Sequence, residues 1–260
     1  MKNYFAILAK GYEKNAILAR EINQRLLERF VYIKHEPEMI LDLGSATGFG
    51  ANLLARKFPR AKIICLDLSR QMLKENKACR KIFFRRQYAL CADALHLPLA
   101  DQSFDLVYSN LLWQWIDQGD LLAKEIKRVL KDKGLLMFSA LGTDTLKNYR
   151  NLEHSFPDIH DIGDQLMQAG FHQPVMDAEW LEYHYFSGEK CLGELRQQGF
   201  EYYLDANQLV SLEKNEIKII FEIIYGHAWK VALPDLSVTN SDGEIVFDVR
   251  NIPRPVNKKR

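Results

Sequence analysis

Apolar residues recur at helical spacing from Lys14 to Phe30, where Ala16, Ile17, Leu18, Ile22, Leu26, Leu27 and Phe30 share one face and Glu and Arg residues take the other. The pattern predicts one amphipathic helix ahead of the core. A repeating alternation follows, with Met39 to Leu43 as a buried strand, Gly50 to Phe58 as a helix, Lys62 to Leu66 as a strand and Ser69 to Cys79 as a helix. It continues with strands at Gln87 to Cys91 and Phe104 to Ser109, a helix from Asp120 to Leu130 and a strand from Gly134 to Ala140. This βαβα order predicts an α/β fold whose mainly parallel sheet carries helices on both faces. Ser69 is placed to cap its helix, and Asp132, Lys133 and Gly134 to turn the chain into the next strand.

Beyond Thr143 the alternation weakens. His160 to Gly170 predicts a helix, Pro174 to Asp177 a strand, and Trp180 to Phe186 alternates apolar and polar positions. Lys190 to Leu212 has helical spacing in Leu192, Leu195 and Phe200 and reads as an insertion rather than a sheet member. Ile217 to Trp229 is a long strand, with Ile219, Phe221, Ile223 and Tyr225 at period two. From Pro234 onward, with Pro253, Pro255 and the basic run Lys258 to Arg260, the chain reads as a loosely held tail.

Composition narrows the classes. The 260 residues are 47% hydrophobic and 27% charged, which disfavours disorder and membrane spanning. Lys and Arg number 35 against 34 Asp and Glu, so net charge gives no argument for a nucleic-acid partner. Cys65, Cys79, Cys91 and Cys191 form no CxxC pair, so no zinc or redox motif is written and no metal is expected. A reducing, cytoplasmic setting is expected, since the apolar run Tyr4 to Ala9 is too short for a secretory signal.

The first strand runs straight into Asp42, Leu43, Gly44, Ser45, Ala46, Thr47 and Gly48 and then a helix. Glycine in that context lets backbone approach a ligand at the carboxyl end of the strand, although a tight turn that binds nothing has the same pattern. The spacing downstream favours a ligand. Asp67 closes the second strand 19 residues past Gly48, where a carboxylate accepts hydrogen bonds from ribose hydroxyls. Asp93, followed by Ala94, comes just after the third strand and is placed to read an adenine amino group, with Met72 and Leu95 available to sandwich the base.

Asp42 to Gly48, Asp67, Asp93 and the block Phe104 to Asn110 resemble class I S-adenosylmethionine-dependent methyltransferases, with Ala46 standing where that loop usually has a glycine. The resemblance implies a Rossmann-like fold with a seven-stranded sheet, an N-terminal helical segment over 1–36, a catalytic domain over 37–233 with a lid inserted at about 187–215, and a tail over 234–260. Ser109 to Trp115, Leu141 to Leu146 with Arg150, His160 to Asp164 and Tyr225 to Trp229 are similar to the malonyl-acyl-carrier-protein O-methyltransferase family, as are Tyr12, Arg20, Glu21 and Ile22. That similarity spans roughly residues 5 to 230.

What the resemblance implies is methylation of the free malonyl carboxyl at the start of the pimelate chain of biotin, with S-adenosylmethionine as cofactor and malonyl-loaded acyl carrier protein or malonyl-coenzyme A as partner. Asp42, Gly44, Ala46, Gly48, Asp67, Met72, Asp93, Ala94 and Asn110 are expected to hold the cofactor. Arg150 is expected to hold the substrate carboxylate, with His227 as a second donor and Tyr12 closing over the cofactor. A carboxyl with a pKa of roughly 4 is already ionised at neutral pH, so alignment and water exclusion, rather than a strong base, are expected to drive the reaction. Between Arg70 and Arg86 seven basic residues face one acid, Glu75, a patch suited to an acidic carrier. Two alternatives share the fold: a hydroxylase of the kind that assists assembly of respiratory complex I, and a cofactor-binding module without turnover.

Overall fold

β1 (Met39–Leu43), β2 (Lys62–Asp67), β3 (Gln87–Cys91), β4 (Phe104–Asn110) and β5 (Leu130–Leu141) pair in parallel, as the alternation predicts. The computed structural model describes residues 2–77, 79, 86–149, 156–204, 217–230, 237–239 and 245–247. β6 (His172–Tyr185) and β7 (Ile217–Trp229) complete a seven-stranded sheet of order β3-β2-β1-β4-β5-β7-β6, in which β7 runs antiparallel to both its neighbours. The strand order reverses between β1 and β4, and the crevice outside their carboxyl ends is where such a sheet binds ligands.

Three helices lie ahead of β1: α1 (Lys2–Leu8), α2 (Tyr12–Asn15) and α3 (Ile17–Glu28). The others are α4 (Phe49–Lys57), α5 (Arg70–Glu75), α6 (Gly119–Val129), α7 (Ile159–Gln168) and α8 (Gly188–Gln197). One apolar layer joins Leu18, Ile22 and Leu26 of α3 and Leu54 of α4 to Ile40, Tyr108 and Met137 of the sheet. The other joins Leu122 and Ile126 of α6 and Ile162 and Leu166 of α7 to Leu41, Val107 and Phe138. Neighbouring residues of one strand thus enter opposite layers, which is why Met39 to Leu41 of β1 and Leu106 to Tyr108 of β4 are apolar without interruption. Ile22 and Leu26 have no exposed surface, and each such burial contributes about 1.5–3 kcal/mol.

Several boundaries differ from the sequence expectation. The leading helix is broken at Ala16 (φ −77°, ψ 56°), and the apolar run before it forms α1. Asp132 to Gly134 do not separate α6 from β5. They lie inside β5, with Lys133 left-handed (φ 62°) and its N–H bonded to the Lys230 carbonyl, while the register to β4 slips between Phe104 and Leu106. The two short stretches at 174–177 and 180–186 are one strand, β6. Ser69 does cap α5, its hydroxyl accepting from the Met72 N–H at 3.3 Å.

The insertion begins with α8 and a short 3-10 turn at Phe200–Tyr203, and it connects the two strands of a long hairpin whose last registered pair is Tyr185 with Ile217. Lid positions 205–215 lie outside the described residues. The chain divides into two compact units, Met1–Lys230 and Val231–Arg260. The second contains β8 (Ser237–Thr239) antiparallel to β9 (Ile245–Phe247), a short pairing that the loosely held tail did not lead one to expect. Among the described residues no helix is long and apolar enough to cross a membrane, and no cluster of His, Cys, Asp and Glu is built to hold a metal.

Candidate functional site

The loop after β1 is shaped by three left-handed residues, Gly44 (φ 77°), Ala46 (φ 45°) and Gly48 (φ 85°). The first two bring backbone toward the crevice. Gly48 instead makes room beneath the loop, since a Cβ there would collide with the Asn76 side chain. The N–H groups of Gly44 and Ser45 both bond to the Leu66 carbonyl at 2.9 Å, clipping the loop to the end of β2. Asp67 extends that clip: one carboxylate oxygen accepts from the Ala46 N–H at 2.9 Å and the other from the Ser69 N–H at 2.7 Å.

A cavity opens over this loop. It is lined by Tyr12, Asp42, Gly44, Ala46, Asp67, Met72, Asp93, Ala94 and Asn110, so of the expected cofactor residues only Gly48 is absent. Leu95, the other candidate for sandwiching a base, does not line it. Asp42 sits one residue inside β1, 3% exposed, and its Oδ2 has no hydrogen-bond partner. Burial pushes its carboxyl up to about 7, the Asp67 charge adding to the rise and a hydrogen bond from the Ala51 backbone opposing it. Burial also raises the Asp67 carboxyl and lifts the Tyr12 phenol to about 12, the latter with help from Asp67. Tyr12 is therefore a neutral hydroxyl, not a base. Asp93 accepts from the Leu95 N–H at 2.9 Å and stays exposed at the cavity edge.

Asn110 joins three elements: its amide donates to the Ala19 carbonyl of α3 at 3.1 Å and accepts from the Ser139 hydroxyl of β5 at 2.9 Å. The roof is built from distant sequence. Phe5 of α1 stands edge-on to Trp115 at 5.0 Å, and Gln198 and Phe200 come from the insertion. Trp113, by contrast, is core, its indole N–H donating to Gln165 at 2.9 Å. Phe5, Gln198 and Phe200 carry no local signal that marks them as site residues, because only tertiary contact brings them here.

Of the expected substrate residues, Tyr12 lines this cavity and His227 does not. Arg150 lies outside the described residues. His227 faces a separate cavity on the α3 side of the sheet, with Arg25, Arg29, Met137 and Asp177, and Tyr225 beside it donates to Glu179 at 2.6 Å. The sequence placed His227 near the site because it ends a long strand. β7 is antiparallel, so its end pairs with the interior of β5, His227 with Met137, away from the crevice. Burial lowers the His227 pKa.

The pattern of a family described as "Methyltransferase domain" matches residues 41–138. A malonyl-[acyl-carrier protein] O-methyltransferase of Gallionella capsiferriformans is 41% identical, over 89% of this chain and 90% of that protein. The protein of the same name from Methylovorus sp. is 38% identical, over 90% of this chain and 91% of its own length. This chain belongs to the malonyl-[acyl-carrier protein] O-methyltransferase family. Solved structures agree on the fold. The YcgJ protein of Bacillus subtilis superposes with a TM-score of 0.63 at 14% identity, over 80% of this chain and 99% of its own. Phosphoethanolamine N-methyltransferase 2 of Haemonchus contortus, solved with S-adenosyl-L-methionine, gives 0.56 at 21% identity, over 80% and 52%.

The cofactor of this class I methyltransferase family is S-adenosylmethionine, and the cavity fits it. Its described lining offers four carboxylates, Glu13, Asp42, Asp67 and Asp93, against one cation, Arg20. That balance suits a ligand with a sulfonium, an ammonium, a ribose diol and a single carboxylate. The unpartnered Asp42 oxygen is the kind of buried acceptor that a cationic ligand group satisfies.

Proposed function

We propose that the chain transfers the methyl group of S-adenosylmethionine to the free carboxylate of a malonyl group on acyl carrier protein, leaving a methyl ester. The observation that carries this is the composition of the cavity: among its described lining residues there is no His, Cys or Lys. A nucleophile that arrives ionised needs no such group. The bound cofactor supplies an activated methyl on a positively charged sulfur.

The chain's own residues supply binding and enclosure. Asp67 holds the ribose, trading its loop contacts for the ligand hydroxyls, and Asp93 with Met72 and Ala94 holds the base. Asp42 offers its free oxygen to the cofactor's cationic end. Tyr12, Phe5, Trp115 and Phe200 cover the cavity and keep water from the reacting atoms. The stretch from Gly142 that leads to Arg150 is anchored on buried Glu222 of β7, whose carboxylate accepts from the Asp144 N–H at 2.7 Å and whose carbonyl accepts from the Gly142 N–H at 2.9 Å. Arg150 is the group we assign to orient the malonyl carboxylate. The carrier docks on the basic stretch, of which Arg70, Lys74, Lys77 and Arg86 are exposed; Arg80, Lys81 and Arg85 lie outside the described residues.

The test is direct. The chain is incubated with methyl-labelled cofactor and malonyl-loaded carrier, and the product is examined for a base-labile methyl ester on the acyl group. Label that resists base, or that appears equally on an unloaded carrier, rejects this function.

A further inference from the structure

Leu111 has a left-handed backbone (φ 54°), a conformation that glycine takes freely and a branched L side chain resists. It directly follows β4, at the end of the sheet where the strand order reverses, and it lines the cofactor cavity. A turn that only joined β4 to α6 would carry glycine or asparagine at this position. Leucine there keeps an apolar side chain in the cavity at the cost of strain, and such strain persists only where the surroundings enforce it.

The enforcing groups are on either side of it. The Leu111 N–H donates to both the carbonyl and the hydroxyl of buried Ser139 of β5, at 3.0 and 3.1 Å. The Leu111 carbonyl accepts from the Gln114 side-chain amide at 2.9 Å, and the oxygen of that amide accepts from the Leu141 N–H at 3.4 Å. Gln114 lines the cavity, but each end of its amide is held by backbone, so it acts on the turn. Its own carbonyl accepts from the hydroxyl of buried Tyr203 in the insertion at 2.8 Å, which fixes Gln114 in turn. Leu112, the next residue, covers the loop after β1, its side chain 3.1 Å from where a Cβ would stand on Gly44.

Resting on the assignment of this cavity to methyl transfer, we propose that Gln114 is a positioning residue: it acts through Leu111, holding the strained turn so that Leu111 and Leu112 form a fixed apolar wall of the reaction chamber. A wall of this kind keeps water from an ionised nucleophile and limits the directions from which the acceptor can approach. Gln114 suits the task because one side chain spans the carboxyl ends of β4 and β5, with a donor for the first and an acceptor for the second.

The experiment compares the full wild-type chain with Gln114→Glu, which keeps the shape of the side chain and the acceptor for Leu141 but has no N–H for the Leu111 carbonyl. The variant lowers kcat with malonyl-loaded carrier by about 10- to 100-fold and leaves the calorimetric Kd for S-adenosylmethionine within about twofold. Without cofactor or substrate, hydrogen exchange at the Leu111 amide is faster in the variant, because the turn is released. Leu111→Gly also lowers kcat, and adding Gln114→Glu to it costs little more, since Gln114 then has no strained residue to hold. A wild-type kcat for Gln114→Glu, unchanged exchange at Leu111, or losses that add in the double variant overturns the inference while the function stands. A wild-type chain that forms no methyl ester overturns the function and the inference with it.

Discussion

The side chain of Gln198 caps α3 from 180 residues away: its Oε1 accepts the Leu18 N–H at 3.1 Å, in a buried contact. Ala16, which precedes α3, has no side chain able to do this. The insertion and the N-terminal segment are therefore locked together over the cofactor cavity, which both residues line. Gln198→Ala leaves the N–H buried without a partner and lowers stability by about 1–2 kcal/mol in urea denaturation, with weaker cofactor binding in the same samples. Unchanged stability would show that water replaces the amide.

Ala46 occupies a left-handed conformation (φ 45°) that an L side chain resists. Ala46→Gly relieves the strain and raises stability by about 0.5–1 kcal/mol, net of the entropy that glycine loses on folding. Denaturant midpoints of the two proteins at one pH decide it; a lower midpoint for the glycine variant refutes it.

Asp42 makes cofactor binding a proton-linked event. Its carboxyl titrates at about 7 in the folded chain, against an ordinary value of 3.8, so the folded protein retains a proton that the unfolded chain has released. The contribution to stability is greatest below pH 3.8 and is lost as pH rises to 7. A cationic group binding beside Asp42 lowers its pKa again and expels about half a proton at pH 7. Calorimetry in buffers of different ionisation enthalpy reads this release directly. Asp42→Asn abolishes it and flattens the fall in stability between pH 4 and 7.

Lys74 and Lys77 are exposed in and just after α5. Reversing both charges raises the KM for malonyl-loaded carrier and flattens its dependence on salt, because steering by an acidic partner is screened. Turnover of a minimal malonyl thioester stays the same. Equal losses on both substrates would assign the effect to folding.

Arg150→Ala lowers kcat/KM by a factor equivalent to about 2–4 kcal/mol while cofactor affinity holds, and Arg150→Lys restores only part, since an ammonium lacks the two-point fork. Normal turnover by the alanine variant would move the carboxylate's anchor elsewhere.

Where the chain makes local units, the sequence was legible. β1, the Gly44–Gly48 loop, α4 and β2 follow one another within a run whose apolar period switches cleanly, so Asp42, Asp67 and Asp93 could be set around one crevice before any contact was known. Legibility ended where contacts are long-range or direction matters. The break at Ala16 is invisible to periodicity because its compensating cap, Gln198, belongs to the insertion. His227 was misplaced because a period-two pattern does not reveal strand direction. Phe5 looks like an ordinary helix residue until α1 folds over the loop.

Tyr185 and Ile217 pair at the open end of the β6–β7 hairpin, so the insertion leaves and rejoins the sheet at a single point. Its length and composition can drift during divergence without disturbing the register of any strand, and the nucleotide-facing wall can stay constant while the acceptor-facing wall is rewritten. A graft of a relative's segment between these two positions, with Gln198 retained to hold α3, is thus a route to a new acyl acceptor on the same cofactor frame.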